Sequence, residues 1–426
     1  MAYKVAGIDV HKKVLMVVVC EASDPEREPE RRRFGTTTGE LNRLLAWLRE
    51  RGVQEAVMES TAQYWRPVWY ALEPQMRLHL AQAFSNRAPR GRKHDFRDAE
   101  RLVRRLVADE LTLSFVPPPE QRAWRTITRM KVQLTEEKSR LYSQLECLLE
   151  EMRLKLSSVI SDLLGASGYR ILRALARGET EAKRLAELGS DLLKCTKQQL
   201  LEALTGDPQP VHGQLLALYL DRYDVLVRQI AELERLAAQA LQAHQEAVVR
   251  LAAVPGFGVD SAQQVIAEVG ATAKTFPSTG NLTSWVGTCP GGEISAEENH
   301  STRSPKGNRY MRRILNQAAH AAVKTKGCFF QALFRRLLPR LGYKGAIWAV
   351  AHRLCRLVWI ILHRGVEYVE HGSEPNPRAK RQRVQTLVRT LRKLGYTVEL
   401  KPCALSKIIP YAGEGAGVPK NPCNLR

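Results

Sequence analysis

The chain has 426 residues and carries 65 Lys and Arg against 44 Asp and Glu, a formal net charge of +21. That length allows two or three domains, and so large a positive surplus favours a polyanionic partner, although ribosomal-type and membrane-surface proteins share it. The eight cysteines form no Cys-x-x-Cys pair and no apolar stretch reaches the ~18 residues of a membrane span, which argues against zinc, disulfide-framework and membrane-spanning classes.

Residues 1–115 predict an α/β domain, because strand and helix patterns alternate along them. Two apolar runs predict a β-hairpin over residues 5–19, followed by a charged loop at 21–33. A capping-box signature at 37–40 predicts the start of a helix that continues through 41–51. Further predicted elements are strand 56–59, helix 64–72, strand 78–81 and a helix that bears Asp98.

Four acidic residues hold related positions in this domain. Asp9 and Glu59 end predicted strands, whereas Asp95 and Asp98 stand three apart at a predicted helix start and so share one face. Four carboxylates that converge on one pocket repel one another unless divalent cations hold them, and Mg²⁺ is the usual hard cation for such ligands. A pair of such ions supports phosphoryl transfer on nucleic acid.

Each acid also has an ordinary interpretation by itself. A single Asp at a strand end is most often a turn residue or a helix cap, and an Asp-x-x-Asp pair is most often solvated surface. The joint pattern favours the metal site, since each acid falls where an RNase H-like fold would place it. Residues 87–105 add eight basic residues against three acidic ones, among which Arg92, Lys93 and Arg97 are candidates for binding a phosphodiester beside the metals.

Residues 120–250 predict a long helical middle that follows a Pro117-Pro118-Pro119 linker. Leucines at 134, 141, 145 and 148, and again at 226, 233 and 241, have coiled-coil-like spacing. This pattern predicts self-association into a dimer or tetramer. An ordinary helical hairpin that packs on itself is the alternative.

Residues 251–370 predict a mainly α domain with a helix-hairpin-helix-like element. Gly256 and Gly258 form a Gly-x-Gly turn at a helix start, where backbone N–H groups can hold a phosphate, although a plain helix start has the same pattern. A hydroxyl-rich basic loop then leads into a helix at 314–323 and suits a phosphate-lined groove, with a solvated loop as the alternative. Its candidate phosphate ligands are Arg303, Lys306, Arg309, Arg312 and Arg313.

The tail, residues 371–426, is basic and punctuated by proline and glycine. One short helix is predicted at 384–394, and the rest is expected to be extended, with order gained on binding nucleic acid or a partner.

Several segments together resemble the DEDD transposases of insertion sequences, which are RNA-guided bridge recombinases. In the amino-terminal part the matching segments are 7–12 (GIDVHK), 58–64 (MESTAQY) and 93–99 (KHDFRDA). In the carboxyl-terminal part they are 255–258 (PGFG), 287–290 (GTCP) and 306–313 (KGNRYMRR). The resemblance covers about residues 4 to 365, and the order and spacing of the segments carry it.

The resemblance implies a RuvC-like amino-terminal domain with an RNase H fold, a coiled-coil region and a transposase domain with a nucleophilic serine. Asp9, Glu59, Asp95 and Asp98 match the DEDD carboxylates, and Ser295 matches the serine. It further implies a tetramer with composite active sites, a noncoding bridge RNA that pairs with donor and target DNA, and a covalent phosphoserine intermediate. The domains would then be 1–115, 120–250, 251–370 and a tail from 371 to 426.

One departure concerns the residues after the serine. The family often has small or basic residues there, whereas Ser295 is followed by Ala296-Glu297-Glu298, so Ser301 and Ser304 stay open as alternative nucleophiles. Two alternative functions also stay open: a RuvC-like structure-selective DNA endonuclease that uses water, and a catalytically inactive nucleic-acid-binding protein. A proofreading exonuclease is set aside, because it needs an Asp-x-Glu pair on the first strand.

The expected location is the cytoplasm of a bacterium or archaeon, in association with the nucleoid. The opening residues lead directly into a predicted strand, which leaves no room for a signal peptide, and scattered cysteines suit a reducing compartment.

Overall fold

The computed structural model describes residues 3–24, 29–60, 62–83, 95–289, 294–295, 298–299, 304–370, 372 and 377–400. Contacts divide the chain into two compact units, Met1–Leu241 and Gln242–Arg426. The first unit contains the predicted α/β domain together with most of the predicted helical middle. The four-part division with boundaries near 115, 250 and 370 stays a prediction.

A six-stranded mixed sheet opens the first unit, in the order β3-β2-β1-β4-β5-β6. Strand β1 pairs antiparallel with β2 and parallel with β4, and β4 pairs parallel with β5. This arrangement confirms the predicted α/β class and is consistent with an RNase H-like fold. The strands are β1 (Lys4–Val10), β2 (Val14–Glu21), β3 (Glu30–Gly35), β4 (Val53–Glu59), β5 (Arg77–Ala81) and β6 (Leu113–Ser114).

Helices cover both faces of this sheet. On one face α1 (Thr38–Glu50) and α2 (Trp65–Leu72) pack their apolar side chains against the strands, with Leu44 and Leu48 fully buried. On the other face α3 (Asp95–Val107) contributes Leu102 and Val103 to a second cluster. Because both faces are covered, the central strands are nearly continuous apolar runs, as is typical of buried strands.

Two sequence predictions in residues 21–40 are wrong. The charged segment predicted as a loop contains strand β3, which pairs with β2 at the edge of the sheet and buries only Phe34 among its six residues. The capping box does not form, since Thr37 makes no side-chain capping bond. Glu40 instead accepts a hydrogen bond from the Gly35 backbone N–H at 3.1 Å.

The remainder of the first unit is helical. Two long helices, α4 (Pro119–Glu151) and α9 (Pro210–Ala240), run antiparallel, with the Trp124 indole N–H near the start of one donating to the Ala240 carbonyl at the end of the other at 3.1 Å. Leu141, Leu145 and Leu148 are buried within the same chain. The helical middle is therefore confirmed, whereas self-association stays a prediction. The connecting helices are α5 (Leu156–Val159), α6 (Ala166–Ala176), α7 (Ala182–Glu187) and α8 (Lys197–Ala203).

An ion pair ties the long helices to the α/β part of the same unit. Arg122 of α4 donates to both carboxylate oxygens of Glu73, at 3.1 and 2.7 Å, and its guanidinium lies 4.5 Å over the Tyr70 ring. These hydrogen bonds lower the pKa of Glu73, and burial opposes the shift. Two-point contacts of this kind fix orientation as well as distance.

The second unit is mainly helical, as predicted. Its core forms where α13 and α12 pack on α14, with Ile314, Leu315, Val350 and Leu354 buried. Its elements are α10 (Gln245–Ala252), α11 (Val259–Val269), α12 (Thr279–Val286), β7 (Ile294–Ser295), β8 (Glu298–Asn299), α13 (Arg309–Ala322), α14 (Phe329–Arg364) and α15 (Pro377–Lys393).

Helix α14 is long and apolar enough to cross a membrane by length and composition, a helix that the sequence prediction overlooked. Its path is broken at Gly342, where φ is 65°. In its most apolar 18-residue stretch 56% is buried inside the structure, and Val350, Leu354 and Val358 pack in the core of its unit.

Candidate active site

Two of the predicted carboxylates lie at the carboxyl ends of neighbouring strands. Ile8 of β1 pairs with Met58 of β4 in parallel register, and Asp9 and Glu59 are the next residues on the two strands. The Asp9 side chain is 17% exposed, and Glu59 is half-buried. Parallel register therefore brings these two acids to the same edge of the sheet.

Helix α3 packs closely against this edge of the sheet because β1 has a glycine, Gly7, at the point of contact. A Cβ atom placed on Gly7 would lie 2.2 Å from the Ala99 carbonyl oxygen and 2.8 Å from Val103 Cγ2. The backbone of α3 thus lies directly on β1, two residues before Asp9. Asp98 precedes Ala99 and is 20% exposed, so the contact brings the start of α3 to the strand ends. Asp95 is the first residue of α3, and its side chain lies outside the described residues.

Basic side chains lie beside two of these acids. His11 Nε2 lies 3.0 Å from Asp9 Oδ2, and an Arg101 Nη lies 2.5 Å from Asp98 Oδ1. The sequence interpretation missed His11, although its spacing of two residues from Asp9 along an extended chain is a usable signal. The Arg101 guanidinium offsets part of the repulsion among neighbouring carboxylates.

The donor set can be compared with the needs of Mg²⁺. Hard carboxylate oxygens on rigid strand ends are the ligands that this ion prefers, so Asp9 and Glu59 fit it. Among the described side chains, no three Asp, Glu, His or Cys residues lie close enough to hold an ion. The described part of the site therefore offers two adjacent carboxylates and a third on the helix above them.

Of the three candidates for binding a phosphodiester beside the acids, only Arg97 lies among the described side chains, and it is exposed. Arg92 and Lys93 lie outside the described residues. A further arginine, Arg31 of β3, pairs with Glu100 of α3 at 2.6 Å and ties that helix to the strand.

The candidate nucleophile belongs to the second unit. Ser295 lies in β7 and pairs with Glu298 of β8 in a short antiparallel hairpin. Its side chain lies outside the described residues, as does all of Ser301. Ser304 is half-buried and accepts a hydrogen bond from Arg312 at 3.3 Å.

The basic residues after the hairpin divide into two groups. Lys306 and Arg309 are exposed, and the Arg309 guanidinium lies 4.8 Å over the Tyr310 ring. Arg312 and Arg313 are partly buried and donate to groups of their own unit, Arg313 to the Gln264 side-chain oxygen at 2.6 Å. Arg303 lies outside the described residues.

A buried thiol lies close to the segment that leads to the hairpin. Burial raises the pKa of Cys355 to about 12, and a hydrogen bond with Thr288 opposes the shift. Because the thiolate is the reactive form, Cys355 is not a rival nucleophile at neutral pH.

The predicted phosphate-binding turn joins α10 to α11. Gly256 has a φ of 91°, and a Cβ atom there would lie 2.2 Å from the Ala318 carbonyl oxygen of α13. Gly258, with a φ of −118°, is the N-cap residue of α11, and a Cβ atom there would meet nothing within 4 Å. Packing therefore accounts for Gly256, whereas Gly258 is open to a ligand.

Alanine substitutions should distinguish the packing role of Gly256 from the exposed position of Gly258. Gly256→Ala is expected to lower the free energy of unfolding by about 2–4 kcal/mol, because it adds backbone strain to a clash with α13. Gly258→Ala should cost at most about 1 kcal/mol, the loss of a favourable N-cap residue. Chemical denaturation of the full chain measures both, and equal costs would contradict the packing role of Gly256.

Two family profiles match this chain, one in each of its two units. A profile of DEDD transposases of the IS110 type matches residues 6–153, and a profile of the transposase IS116/IS110/IS902 family matches residues 249–334. A Pseudomonas aeruginosa protein named "Probable family 20 transposase" is 29% identical over 317 residues, which cover 72% of this chain and 83% of the relative. A Sinorhizobium fredii protein, y4rJ, named as a candidate transposase, is 27% identical over 308 residues, 66% of this chain and 69% of that protein.

The matched regions indicate a DNA-processing enzyme, with an α/β domain that places two carboxylates at adjacent strand ends and a helical unit that follows it. The chain belongs to the IS110 family of DEDD transposases. DNA is accordingly its substrate class.

Proposed function

We propose that the protein is a DNA recombinase of an insertion sequence that cuts and rejoins strands through a covalent phosphoserine. The observation that carries the proposal is the placement of Asp9 and Glu59 at adjacent parallel strand ends, with α3 packed on Gly7 beside them. Carboxylates at such an edge are suited to metal-assisted phosphoryl transfer.

In the proposed reaction Ser295 is the nucleophile. Its hydroxyl oxygen forms an ester bond to the phosphorus of a DNA phosphodiester while the bond from phosphorus to the 3′ oxygen breaks. The serine gives up its proton, and the departing oxygen ends as a free 3′-hydroxyl. Because the phosphoserine keeps an ester bond, a second 3′-hydroxyl can reverse the step and rejoin strands without an external energy source.

Asp9, Glu59, Asp95 and Asp98 would hold Mg²⁺, whose chemistry is to neutralise charge that develops on the phosphate oxygens. His11 holds the Asp9 carboxylate from one side at 3.0 Å, which limits its rotation. The half-buried position of both strand-end acids reduces their contact with water, so their charges would attract a bound cation more strongly.

Nucleic-acid binding in the proposal depends on exposed basic residues. Arg97 lies on the helix that carries Asp98, and Lys306 and Arg309 follow the Ser295 hairpin. The net charge of +21 supports binding of a polyanion such as nucleic acid. A noncoding bridge RNA that pairs with donor and target DNA, and a dimer or tetramer that combines acids and serine of different copies, complete the proposal.

The decisive experiment is strand cleavage of cognate element-end DNA with Mg²⁺ and the co-expressed flanking RNA. Wild type and Ser295→Ala are compared on a denaturing protein gel, where a DNA-linked protein runs as a shifted band. The shifted band is expected for wild type and should be absent for Ser295→Ala.

Three other outcomes have distinct meanings. Cleavage by both proteins with no shifted band would mean a RuvC-like endonuclease that uses water. A shifted band that survives Ser295→Ala would move the nucleophile to Ser301 or Ser304, each tested by its own alanine variant. DNA binding without any cleavage would mean a catalytically inactive nucleic-acid-binding protein.

A further inference from the structure

The segment that carries the Ser295 hairpin begins and ends at one point of the second unit. A Cβ atom on Gly307 would lie 2.2 Å from the Val286 carbonyl oxygen, and one on Gly287 would lie 2.6 Å from the Pro305 carbonyl oxygen. The backbone entering the segment therefore touches the backbone leaving it. Because the two ends of this loop are held together, the residues between them can adopt fewer conformations.

Arg312 bridges the two ends of that segment. One guanidinium nitrogen donates to the Gly287 carbonyl before the segment and to the Pro305 carbonyl after it, the latter at 3.4 Å. The other terminal nitrogen donates to Ser304 Oγ at 3.3 Å. The guanidinium also lies 4.5 Å over the Trp348 ring of α14, and this stacking fixes the plane of the guanidinium group.

Asn308 holds the helix that presents Arg312. Its side-chain oxygen caps α13 by accepting from the Met311 N–H at 3.0 Å, and its backbone N–H donates to the Trp285 carbonyl at 3.2 Å. Its amide nitrogen donates to Glu268 at 2.8 Å, and Glu268 is only 2% exposed. The first turn of α13 is thereby fixed relative to α11 and α12.

We infer that Arg312 is a positioning residue that locks the base of the Ser295 segment, in contrast to the phosphate-binding role that the sequence predicts. The effect on chemistry rests on the proposed function, whereas the effect on the segment does not. A lysine keeps the charge but cannot reach three acceptors at once or stack its head group flat on Trp348. Arg312→Lys should therefore fail almost as fully as Arg312→Gln.

The first test follows hydrogen exchange of the backbone amides in residues 286–308, with the full chain and no DNA. Both Arg312 variants are expected to exchange about 10- to 100-fold faster there, as the loss of charge-assisted hydrogen bonds implies. Lys326→Gln, an exposed charge change beyond the end of α13, should leave that exchange unchanged. Wild-type exchange in both Arg312 variants would overturn the inference.

The second test separates positioning from phosphate binding. Arg312→Lys and Arg312→Gln should keep the wild-type dependence of DNA affinity on salt but form the DNA-linked band about tenfold more slowly at saturating DNA. Arg309→Gln, on the same helix and exposed, should instead lower the salt slope by about one.

The outcomes of this second test are separable. A lower salt slope in Arg312→Gln, restored in Arg312→Lys, would show that Arg312 binds phosphate and would overturn the inference. If wild type forms no DNA-linked band, the proposed function fails, and the hydrogen-exchange result still decides whether Arg312 locks the segment.

Discussion

Replacing Asp9 with asparagine should abolish DNA cleavage in a protein that remains folded. The change keeps the shape of the side chain but removes a negative charge from the strand edge shared with Glu59. Losing one carboxylate ligand of a catalytic metal is expected to slow cleavage by about 10³-fold or more, the equivalent of roughly 4 kcal/mol of transition-state stabilisation. Cleavage of element-end DNA at saturating Mg²⁺ measures the effect.

The control for this prediction is Asp191→Asn, which removes the same charge from a side chain that is 87% exposed in the helical middle. The free energy of unfolding of both variants should lie within about 1 kcal/mol of the wild-type value, since the His11–Asp9 pair and the Lys197–Asp191 pair are both partly exposed. Cleavage at the wild-type rate by Asp9→Asn would remove Asp9 from the catalytic site.

Replacing Gly7 with alanine should destabilise the first unit and separate α3 from β1. The added methyl group would meet backbone at Ala99, which cannot rotate away as a side-chain end can. Overpacking of this kind typically costs about 1–3 kcal/mol, and a backbone obstacle places this site at the upper end. Urea denaturation of the full chain measures the loss.

Gly39→Ala is the matched control, because Gly39 lies in α1 and a Cβ atom there meets nothing within 4 Å. Alanine is the better helix former, so this variant should be more stable by up to about 1 kcal/mol. Cleavage by Gly7→Ala should also fall at temperatures where the protein is still fully folded, since α3 carries Asp95 and Asp98. Unchanged stability and cleavage would mean that the packing of α3 on Gly7 matters to neither.

The sequence predicts the strands of the site well, because the apolar runs of β1 and β4 are strong. Strand β3 escapes prediction because an edge strand with three arginines has almost no apolar signal. The capping box fails for a different reason. Thr37 and Glu40 fit the local pattern, but a backbone N–H at Gly35 competes for the Glu40 carboxylate.

Close contacts between segments that are distant in sequence could not be predicted, because local sequence patterns carry no information on them. The sequence around Gly7 does not indicate that the helix that begins at Asp95 packs on this glycine. The sequence around Gly256 has the pattern of a phosphate-binding turn, and only the structure shows that α13 packs against this residue. Arg312 shows the same limit. Its place in a basic run predicts a phosphate ligand, whereas its acceptors are backbone carbonyls and a hydroxyl of its own unit.

The two borders of the six-stranded sheet have a consequence for solubility. Strand β3 forms one border with three consecutive arginines, Arg31 to Arg33, and β6 forms the other with only two residues. Like charges placed opposite one another repel, and a two-residue strand offers too few hydrogen bonds to template another chain. A highly concentrated solution of this protein should therefore resist pairing of copies strand to strand through the borders of this sheet, the contact that leads to amyloid-like stacking.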